Sequence, residues 1–263
     1  MKQKKIPTIL IIAGSDSGGG AGIQADIKAA SYFKVFATTA VTAVTAQNTL
    51  GVQSIFPIPE REIKKQLRSV MSDLAPDIVK VGMLGTKEVV DCVAQEILPT
   101  KIILDPVMVA TSGDKLVDNN CVTEIREKLI PSCYLVTPNS FEAEILIGKK
   151  ISSVEDQEYA AKEIKKLGAK NVLVKGGHLR EGSELIDILV DETGRSKQFI
   201  SQRINSKNTH GTGCTLSTAI ASNVANGIPL EKSISDSISY VQRGIKYAPN
   251  LGSGNGPLSH FDV

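Results

Sequence analysis

Residues 208–218, NTHGTGCTLST, combine a glycine turn with a cysteine at the start of a predicted helix. Gly211 and Gly213 permit a tight turn, and the small residues that follow suit a closely packed helix. The first amides of a helix lack intrahelical partners, and with the helix dipole they attract anions such as phosphate. Cys214 is expected in the first turn, where the pKa of a thiol falls below its usual value of about 8.5, so that it can accept a proton. An anion site beside a base indicates phosphoryl transfer, although the same residues also fit an ordinary glycine turn before a buried helix.

The elements that must position this turn begin with a short apolar run at residues 8–13, which predicts a first strand. A glycine-rich loop at residues 14–26 and a helix follow. Gly20, Gly22 and Ala25 fit the G-x-G-x-x-A pattern of dinucleotide-binding proteins, but no acidic residue follows about 20 positions later. A Walker A motif is also absent. The loop therefore favours neither a Rossmann site nor a P-loop.

Strand and helix patterns alternate along the rest of the chain. Further strands are predicted at residues 35–46, 78–81, 102–104, 134–136, 172–174, 184–190 and 197–201, the last two as a hairpin. This alternation predicts an α/β fold with three α/β/α layers, a predominantly parallel central sheet and helices on both faces. We expect a single domain over residues 1–263.

Polar or flexible side chains follow several of these strands. Gln47, Met83 and Asp105 all come at or just after a strand's carboxyl end, where open α/β sheets bind ligands. Gln47 also fits a loop amide that satisfies nearby backbone groups. Met83 lies between glycines, where it could line a flat apolar ligand or fill a gap in the core. These residues predict one shared rim for a ligand.

Asn139 and Glu142 follow the strand at residues 134–136 and open the next helix. An amide and a carboxylate on one face can hold a hydrated Mg²⁺, which keeps several of its waters. The same spacing also fits an N-cap residue with its capping-box Glu. The sequence leaves both interpretations open.

The bulk composition excludes several function classes. The 263 residues carry 30 Lys plus Arg against 28 Asp plus Glu, a formal net charge of +2, so nucleic-acid binding is not indicated. No apolar stretch approaches the roughly 20 residues of a membrane span, and the N-terminus lacks the cleavage site of a signal peptide. The four cysteines show no CxxC spacing and are expected to be reduced thiols. We therefore expect a cytoplasmic protein.

Seven motifs in order resemble those of one family. They are AGSDSGGGAGIQAD, TAQNT, KVGML, LDPVMVATSG, TPN followed by Glu142, VKGGH and NTHGTGCT, and the resemblance as a whole extends over residues 9–260. The chain is similar to the ribokinase-type vitamin kinases, specifically the hydroxymethylpyrimidine and phosphomethylpyrimidine kinases of thiamine biosynthesis. The resemblance implies a ribokinase-like fold, ATP and Mg²⁺ as cofactors, a small-molecule substrate and a homodimer.

The resemblance also implies a role for each matched residue. Gly211, Thr212 and Gly213 would form the anion hole, with Thr212 and Gly213 also contacting ATP, and Cys214 would be the catalytic base. Asp26 and Gln47 would hydrogen-bond an aminopyrimidine, and Ala21, Met83 and Val107 would shape its pocket. Asp105, Asn139 and Glu142 would organise Mg²⁺, and Lys175 would lie near the ATP phosphates.

The implied reaction is phosphorylation of 4-amino-5-hydroxymethyl-2-methylpyrimidine and then of its monophosphate. A pyridoxal or pyridoxine kinase, or an enzyme with both activities, is the main alternative. Gln47 favours the pyrimidine, because an amide both donates and accepts hydrogen bonds at an aminopyrimidine edge. A sugar or nucleoside kinase is disfavoured because Cys214 stands where many of those enzymes have Asp. A vitamin-binding protein without catalysis is the remaining alternative.

Overall fold

Strands and helices alternate along the chain in the computed structural model, which describes residues 6–97, 100–109, 117, 119–177 and 183–261. The strands found in these ranges are β1 (Thr8–Asp16), β2 (Phe36–Asn48), β3 (Gly51–Pro57), β4 (Ile78–Val81), β5 (Lys101–Leu104), β6 (Cys133–Val136), β7 (Asn171–Val174), β8 (Glu184–Val190) and β9 (Ser196–Gln202).

Helices lie between most of the strands. They are α1 (Gly22–Tyr32), α2 (Glu60–Asp73), α3 (Lys87–Glu96), α4 (Asn119–Glu124), α5 (Ser140–Ile147), α6 (Val154–Lys166), α7 (Thr212–Ala225) and α8 (Leu230–Lys246). A π-helical segment, Ile125–Leu129, and a 3-10 turn, Ile130–Ser132, continue α4. In the part of the chain that the structure covers, none of these helices is long and apolar enough to cross a membrane.

The strands form one sheet in the order β3-β2-β1-β4-β5-β6-β7-β8-β9. Six neighbouring strands pair in parallel: β2, β1, β4, β5, β6 and β7. Antiparallel pairs close both ends, β2 with β3 on one side and β7 with β8 and β9 on the other. The predominantly parallel sheet and the predicted β8–β9 hairpin are therefore confirmed.

Both faces of the sheet are covered, as a parallel sheet requires. Side chains along β1 alternate between two apolar cores: Leu10 and Ile12 pack with α2, α3, α5 and α6, and Ile9 and Ile11 pack with α1, α7 and α8. Strands buried on both faces read as continuous apolar runs, which is why the sequence pattern located them. The predicted three-layer α/β/α arrangement is confirmed.

The strand order reverses at β1 and β4, because β2 lies on one side of β1 and β4 on the other. Such a switch point opens a crevice at the carboxyl ends of the strands. Helix α7 packs over β1, β4 and β5. Its N-terminus thus lies beside the crevice.

Two features near this crevice differ from the sequence prediction. Strand β3 was not predicted, and β2 continues through Gln47 to Asn48 and pairs with it. The register shifts between Ala46 and Gln47. A bulge of this kind re-aims a side chain, so Gln47 is held by a strand and not by a loop.

Candidate active site

A cleft of about 960 Å³ lies at the switch point, among the carboxyl ends of β1, β2, β4, β5 and β7 and the N-termini of α1, α5 and α7. Every residue that the sequence predicted for the site lines this cleft except Asp26. Parts of the VKGGH and LDPVMVATSG motifs, including His178 and Ser112, lie outside the described residues.

The turn into α7 has the geometry of an anion site. Gly211 is the N-cap residue with φ 82°, and a Cβ atom there would lie 1.8 Å from the carbonyl oxygen of Gly20, so only glycine fits. The amide of Thr212 binds the carbonyl of Thr209 at 3.3 Å. Within the described part of the chain, the next two amides, those of Gly213 and Cys214, have no hydrogen-bond acceptor. We call these two amides the α7 anion site.

Cys214 is the third residue of α7 and is partly exposed in the cleft. Burial raises the pKa of its thiol to about 11; the Lys80 ammonium and a hydrogen bond with the Gly22 backbone act in the opposite direction. The nearby carboxylates of Asp26 and Asp105 raise the pKa further. The prediction that the helix N-terminus lowers this pKa is therefore wrong for the free protein, because desolvation and negative neighbours outweigh the dipole.

Asp26 lies beneath the cleft and not in it. Its side chain is fully buried in α1, where it accepts hydrogen bonds from Lys80 Nζ at 2.8 Å and from the Thr218 hydroxyl at 2.7 Å. Burial disfavours the Lys80 ammonium, but the Asp26 carboxylate and the other acidic groups nearby together outweigh burial and raise the pKa of Lys80. The structure thus disagrees with a direct hydrogen bond from Asp26 to a substrate, because both of its oxygens already serve this ion pair and α7.

Asp105 and Lys175 form an ion pair beside the α7 anion site. Lys175 Nζ lies 2.8 Å from Asp105 Oδ1, and both side chains are largely buried. A Cβ atom at Gly213 would lie 3.4 Å from Lys175 Nζ and 3.5 Å from Asp105 Oδ2. A cation, a carboxylate and two free amides therefore converge on one point.

Asn139 and Glu142 form the capping box that the sequence left open. The Asn139 side chain accepts from the Glu142 amide at 2.9 Å, and Glu142 Oε2 accepts from the Asn139 amide at 2.8 Å. Burial raises the pKa of Glu142 to about 7, while the Lys175 ammonium opposes this and Asp105 adds to it. The carboxyl group lines the cleft and is poised between its two forms at neutral pH.

The donor set at this edge fits a hydrated metal ion better than a direct protein cage. Within the described ranges, no group of three or more His, Cys, Asp or Glu side chains is placed to hold a metal. Asp105 Oδ1 accepts a hydrogen bond from Lys175, and Glu142 Oε2 accepts one from the Asn139 amide. Ser217 lies 3.4 Å from the other oxygen of Asp105. Carboxylates held in this way suit Mg²⁺, which keeps water molecules and binds through few carboxylates.

Apolar and amide groups form the opposite wall. Met83 is buried, and a Cβ atom at Gly14 would lie 3.1 Å from its terminal methyl group, so the side chain packs flat over that glycine. Ala21 caps α1, and Val107 is partly exposed in the cleft. Gln47 is also partly exposed there. This wall suits a flat ligand with a polar edge.

Asp16 and His210 are cleft residues that sequence reasoning missed. The Asp16 carboxylate accepts from the amides of Gly18, Gly20 and Ala21 at 2.7, 3.0 and 2.8 Å. His210 Nε2 lies 2.8 Å from Asp16 Oδ2 and 3.3 Å from Gln47 Nε2. Their positions in the sequence could have indicated both residues, because Asp16 ends β1 and His210 directly precedes the glycine turn.

Most of the chain, residues 16–259, matches a protein-family model described as phosphomethylpyrimidine kinase. The chain is 45% identical over 257 residues to the thiamine biosynthesis bifunctional protein ThiED of Geobacter sulfurreducens; the match covers 97% of this chain and 52% of that protein, so the chain spans about half the length of this relative. It is 43% identical over 255 residues to the hydroxymethylpyrimidine/phosphomethylpyrimidine kinase of Bacillus subtilis, covering 96% of this chain and 94% of that one.

The fold is also similar to that of pyridoxal kinase from Bacillus subtilis, solved as an ADP complex. The TM-score is 0.90 at 33% identity, and the match covers 97% of this chain and 98% of the other. The ribokinase-like architecture expected from the sequence is confirmed.

Proposed function

The chain belongs to the phosphomethylpyrimidine kinase family, and on that premise we propose that it transfers the γ-phosphoryl group of ATP to the hydroxymethyl oxygen of 4-amino-5-hydroxymethyl-2-methylpyrimidine. We propose that it then phosphorylates the monophosphate, as the double name of its Bacillus subtilis relative describes. The observation that carries this proposal is the α7 anion site, two free amides that open into the cleft next to Cys214.

The α7 anion site would stabilise the phosphoryl group while it moves. In the transition state, negative charge is spread over the three equatorial oxygens of this group. Amides that a helix holds in place can donate hydrogen bonds to these oxygens without reorganising. Thr212 and Gly213 would hold the phosphates of ATP at the same turn. Lys175, largely buried and aimed at Gly213, would add a positive charge.

Cys214 would accept the proton of the substrate hydroxyl. In the free protein its thiol is protonated at neutral pH, because its pKa is raised to about 11. Only the thiolate can act as a base, so this role makes the rate depend on a small ionised fraction. The loose transition state of phosphoryl transfer leaves most of the catalysis to positioning and electrostatics, which tolerates a base that is ionised in only a small fraction of molecules.

Asp105, Asn139 and Glu142 would hold Mg²⁺ through water molecules. When bound, Mg²⁺ neutralises charge on the phosphates and orients them for in-line transfer. Glu142 supplies a full negative charge only above its pKa of about 7. The Asp105–Lys175 pair keeps its carboxylate oriented at the edge of the anion site.

Gln47, Met83, Ala21 and Val107 would bind the substrate ring. The amide of Gln47 can both donate and accept, which matches the amino group and adjacent ring nitrogen of an aminopyrimidine. Met83 offers a flat, polarizable surface for the ring. Asp26 would support Cys214 from below and make no substrate contact.

Pyridoxal phosphorylation is the second candidate, and the fold similarity to a pyridoxal kinase favours it. Sequence identity favours the pyrimidine instead. The chain is 43% identical to the pyrimidine kinase of Bacillus subtilis and 33% identical to the pyridoxal kinase of the same organism. We therefore place the pyrimidine first and propose pyridoxal as a weaker substrate.

The test is ADP release measured in steady state with the pyrimidine alcohol, its monophosphate and pyridoxal, each with Mg-ATP. We expect the highest kcat/KM for one of the two pyrimidines. A higher value for pyridoxal would replace the first candidate by the second. Ligand binding without any turnover would favour a vitamin-binding protein.

We also propose that the protein is a cytoplasmic homodimer built from single-domain chains. The edge strand β3 supports a dimer, because it exposes the apolar side chains of Ile55 and Phe56. Sedimentation velocity at micromolar concentration should give the mass of two chains. A single-chain mass would contradict the dimer.

A further inference from the structure

Lys80 carries a positive charge in the interior of the protein. It is the third residue of β4, and its side chain is completely buried on the face of the sheet that α1 and α7 cover. A buried ammonium is costly unless it is paired. Asp26 in α1 accepts from Lys80 Nζ at 2.8 Å, and the acidic groups around Lys80 together outweigh burial and raise its pKa. Lys80 is therefore charged at neutral pH.

The ion pair uses only part of the hydrogen-bonding capacity of this ammonium. Lysine has three N–H donors, and among the residues that the structure describes, Asp26 is the one acceptor for Lys80 Nζ. Gly82 leaves space beside the charge, because a Cβ atom there would lie 3.1 Å from Lys80 Nζ. Since buried donors are normally satisfied, the ammonium has the capacity for a second negative partner.

Cys214 lies one helical turn away from this ion pair. Helices α1 and α7 touch through two contacts in register. In the first, the backbone of Gly22 is hydrogen-bonded to Cys214. In the second, four residues further along each helix, the Thr218 hydroxyl donates to Asp26 Oδ1 at 2.7 Å. The second contact, which holds the partner of Lys80, is thus about 5 Å deeper in the protein than the thiol.

Four charged groups act on Cys214, each from a different strand or helix. They are Lys80 on β4, Asp26 on α1, Asp105 after β5 and Lys175 after β7. Burial is the main obstacle to ionisation of the thiol, and the two carboxylates add to it, whereas Lys80 opposes it more strongly than Asp26 supports it. Lys175 is bound to Asp105 at the α7 anion site. Lys80 is therefore the cation placed to act on the thiol from inside.

We propose that Lys80 is a positioning residue whose ammonium, held in place by Asp26, stabilises the thiolate form of Cys214 from inside the protein. This inference rests on the proposed function, in which the thiolate takes the proton of the substrate hydroxyl. Lys80 does not line the cleft, so it acts through Cys214 and not on the substrate. Loss of its charge lowers the thiolate fraction at every pH below the pKa of the thiol and leaves substrate binding unchanged.

The test measures the rate at which iodoacetamide alkylates Cys214 in the free protein between about pH 7 and 10. The thiolate is the reactive form, and the other three cysteines are buried, so the labelled peptide reports on Cys214. We expect Lys80→Met to slow alkylation at pH 9 by about 10-fold, because a nearby positive charge is lost. Asp26→Asn keeps the shape but removes the opposing carboxylate, so it should speed alkylation by about threefold.

A double variant keeps the test decisive if either single variant proves unfolded by circular dichroism. Lys80→Met combined with Asp26→Asn buries no unpaired charge. It should still be alkylated about threefold more slowly than wild type, because the ammonium acts on Cys214 more strongly than the carboxylate does. Lys64→Met is the matched control, since it removes an ammonium from the ion pair of Lys64 with Glu96, outside the cleft, and should change nothing.

Steady-state kinetics separate this inference from the proposed function. In Lys80→Met, kcat for the pyrimidine should fall by about 10-fold with KM within about twofold of wild type. If wild-type protein does not turn over the pyrimidine, the proposed function fails, and alkylation still tests Lys80. A merely structural role would loosen the cleft, so Lys80→Met would be alkylated as fast as wild type or faster. That result, or an equal slowing in Lys80→Met and Asp26→Asn, would overturn the inference.

Discussion

Cys214 lines the cleft where a catalytic base is expected, but burial raises the pKa of its thiol in the free protein. Its pKa of about 11 means that the thiolate fraction rises with pH throughout the neutral and mildly alkaline range. We predict that kcat/KM for the pyrimidine rises by roughly tenfold per pH unit between about pH 7 and 9. Cys214→Ala should remove this slope and lower kcat at pH 9 by ~10²–10⁴, the contribution of a general base.

Cys92→Ala is the control for this experiment, because Cys92 is buried in α3 on the other face of the sheet and lies outside the cleft. It should keep the wild-type pH profile even if it melts at a lower temperature. A Cys214→Ala enzyme with the wild-type slope would remove the thiol from the mechanism.

Glu142 provides a pH test that needs no substrate. Its pKa is raised from 4.5 to about 7 in the folded protein, so between these values the folded state binds a proton that the unfolded state has lost. The stability gained from this proton is complete below about pH 4.5 and is lost as pH rises through 7. We predict that this loss is about 3 kcal/mol for wild type and absent in Glu142→Gln, measured by urea unfolding from pH 5 to 8. Parallel profiles for the two proteins would contradict a raised pKa.

At the residue scale, the sequence located the site better than it described each side chain. Cys214 could be placed at a helix N-terminus, but its desolvation and its neighbours Asp26 and Asp105 depend on packing between distant segments. The family resemblance implies a place for Asp26 in the pocket. Its position in α1 instead turns it toward Lys80 and Thr218, which only the packing of α1 on β4 and α7 could reveal.

Helix α7 carries the central test at the scale of elements. Gly211 and Gly227 flank this helix with nearly equal φ angles of 82° and 80°. A Cβ atom added at Gly211 would clash with the backbone of Gly20, whereas one added at Gly227 would have no atom within 4 Å. We predict that Gly211→Ala lowers kcat by ~10²–10³, the effect of losing an oxyanion donor, because the clash displaces the α7 anion site. Gly227→Ala should cost about 1 kcal/mol of stability from its left-handed backbone and leave kcat unchanged.

Steady-state kinetics and thermal melting of the two alanine variants separate strain from function. Equal activity losses in both would indicate that helix stability, and not the turn, limits the enzyme. Unchanged kcat in a folded Gly211→Ala variant would place the phosphoryl group elsewhere.

Strands buried on both faces could be predicted from apolar runs, whereas the edge strand β3 could not. Strand β3 has no buried residue, so its sequence GVQSIFP carries no buried-strand pattern. Strand β1 extends to Asp16 through Gly14, although glycine disfavours strands. Both misses affected the site, because β3 fixes the hairpin of Gln47 and the end of β1 places Asp16.

At the scale of the whole molecule, the strand order explains why distant motifs meet. The order of the strands reverses between β1 and β4. The loops that follow β1, β2, β4 and β5 therefore surround one crevice. Strand–helix alternation predicted the layers, but the order of the strands depends on long-range pairing that no local pattern encodes. The nine-stranded order and the position of α7 over the switch point therefore came only from the structure.

The measurement that tests the central claim most directly is a crystal structure of the protein with Mg²⁺, a non-hydrolysable ATP analogue and the pyrimidine alcohol. Our account predicts terminal phosphate oxygens about 3 Å from the amides of Gly213 and Cys214, with the substrate hydroxyl between that phosphate and the Cys214 sulfur. A terminal phosphate bound away from α7, or a substrate hydroxyl facing away from Cys214, would contradict it.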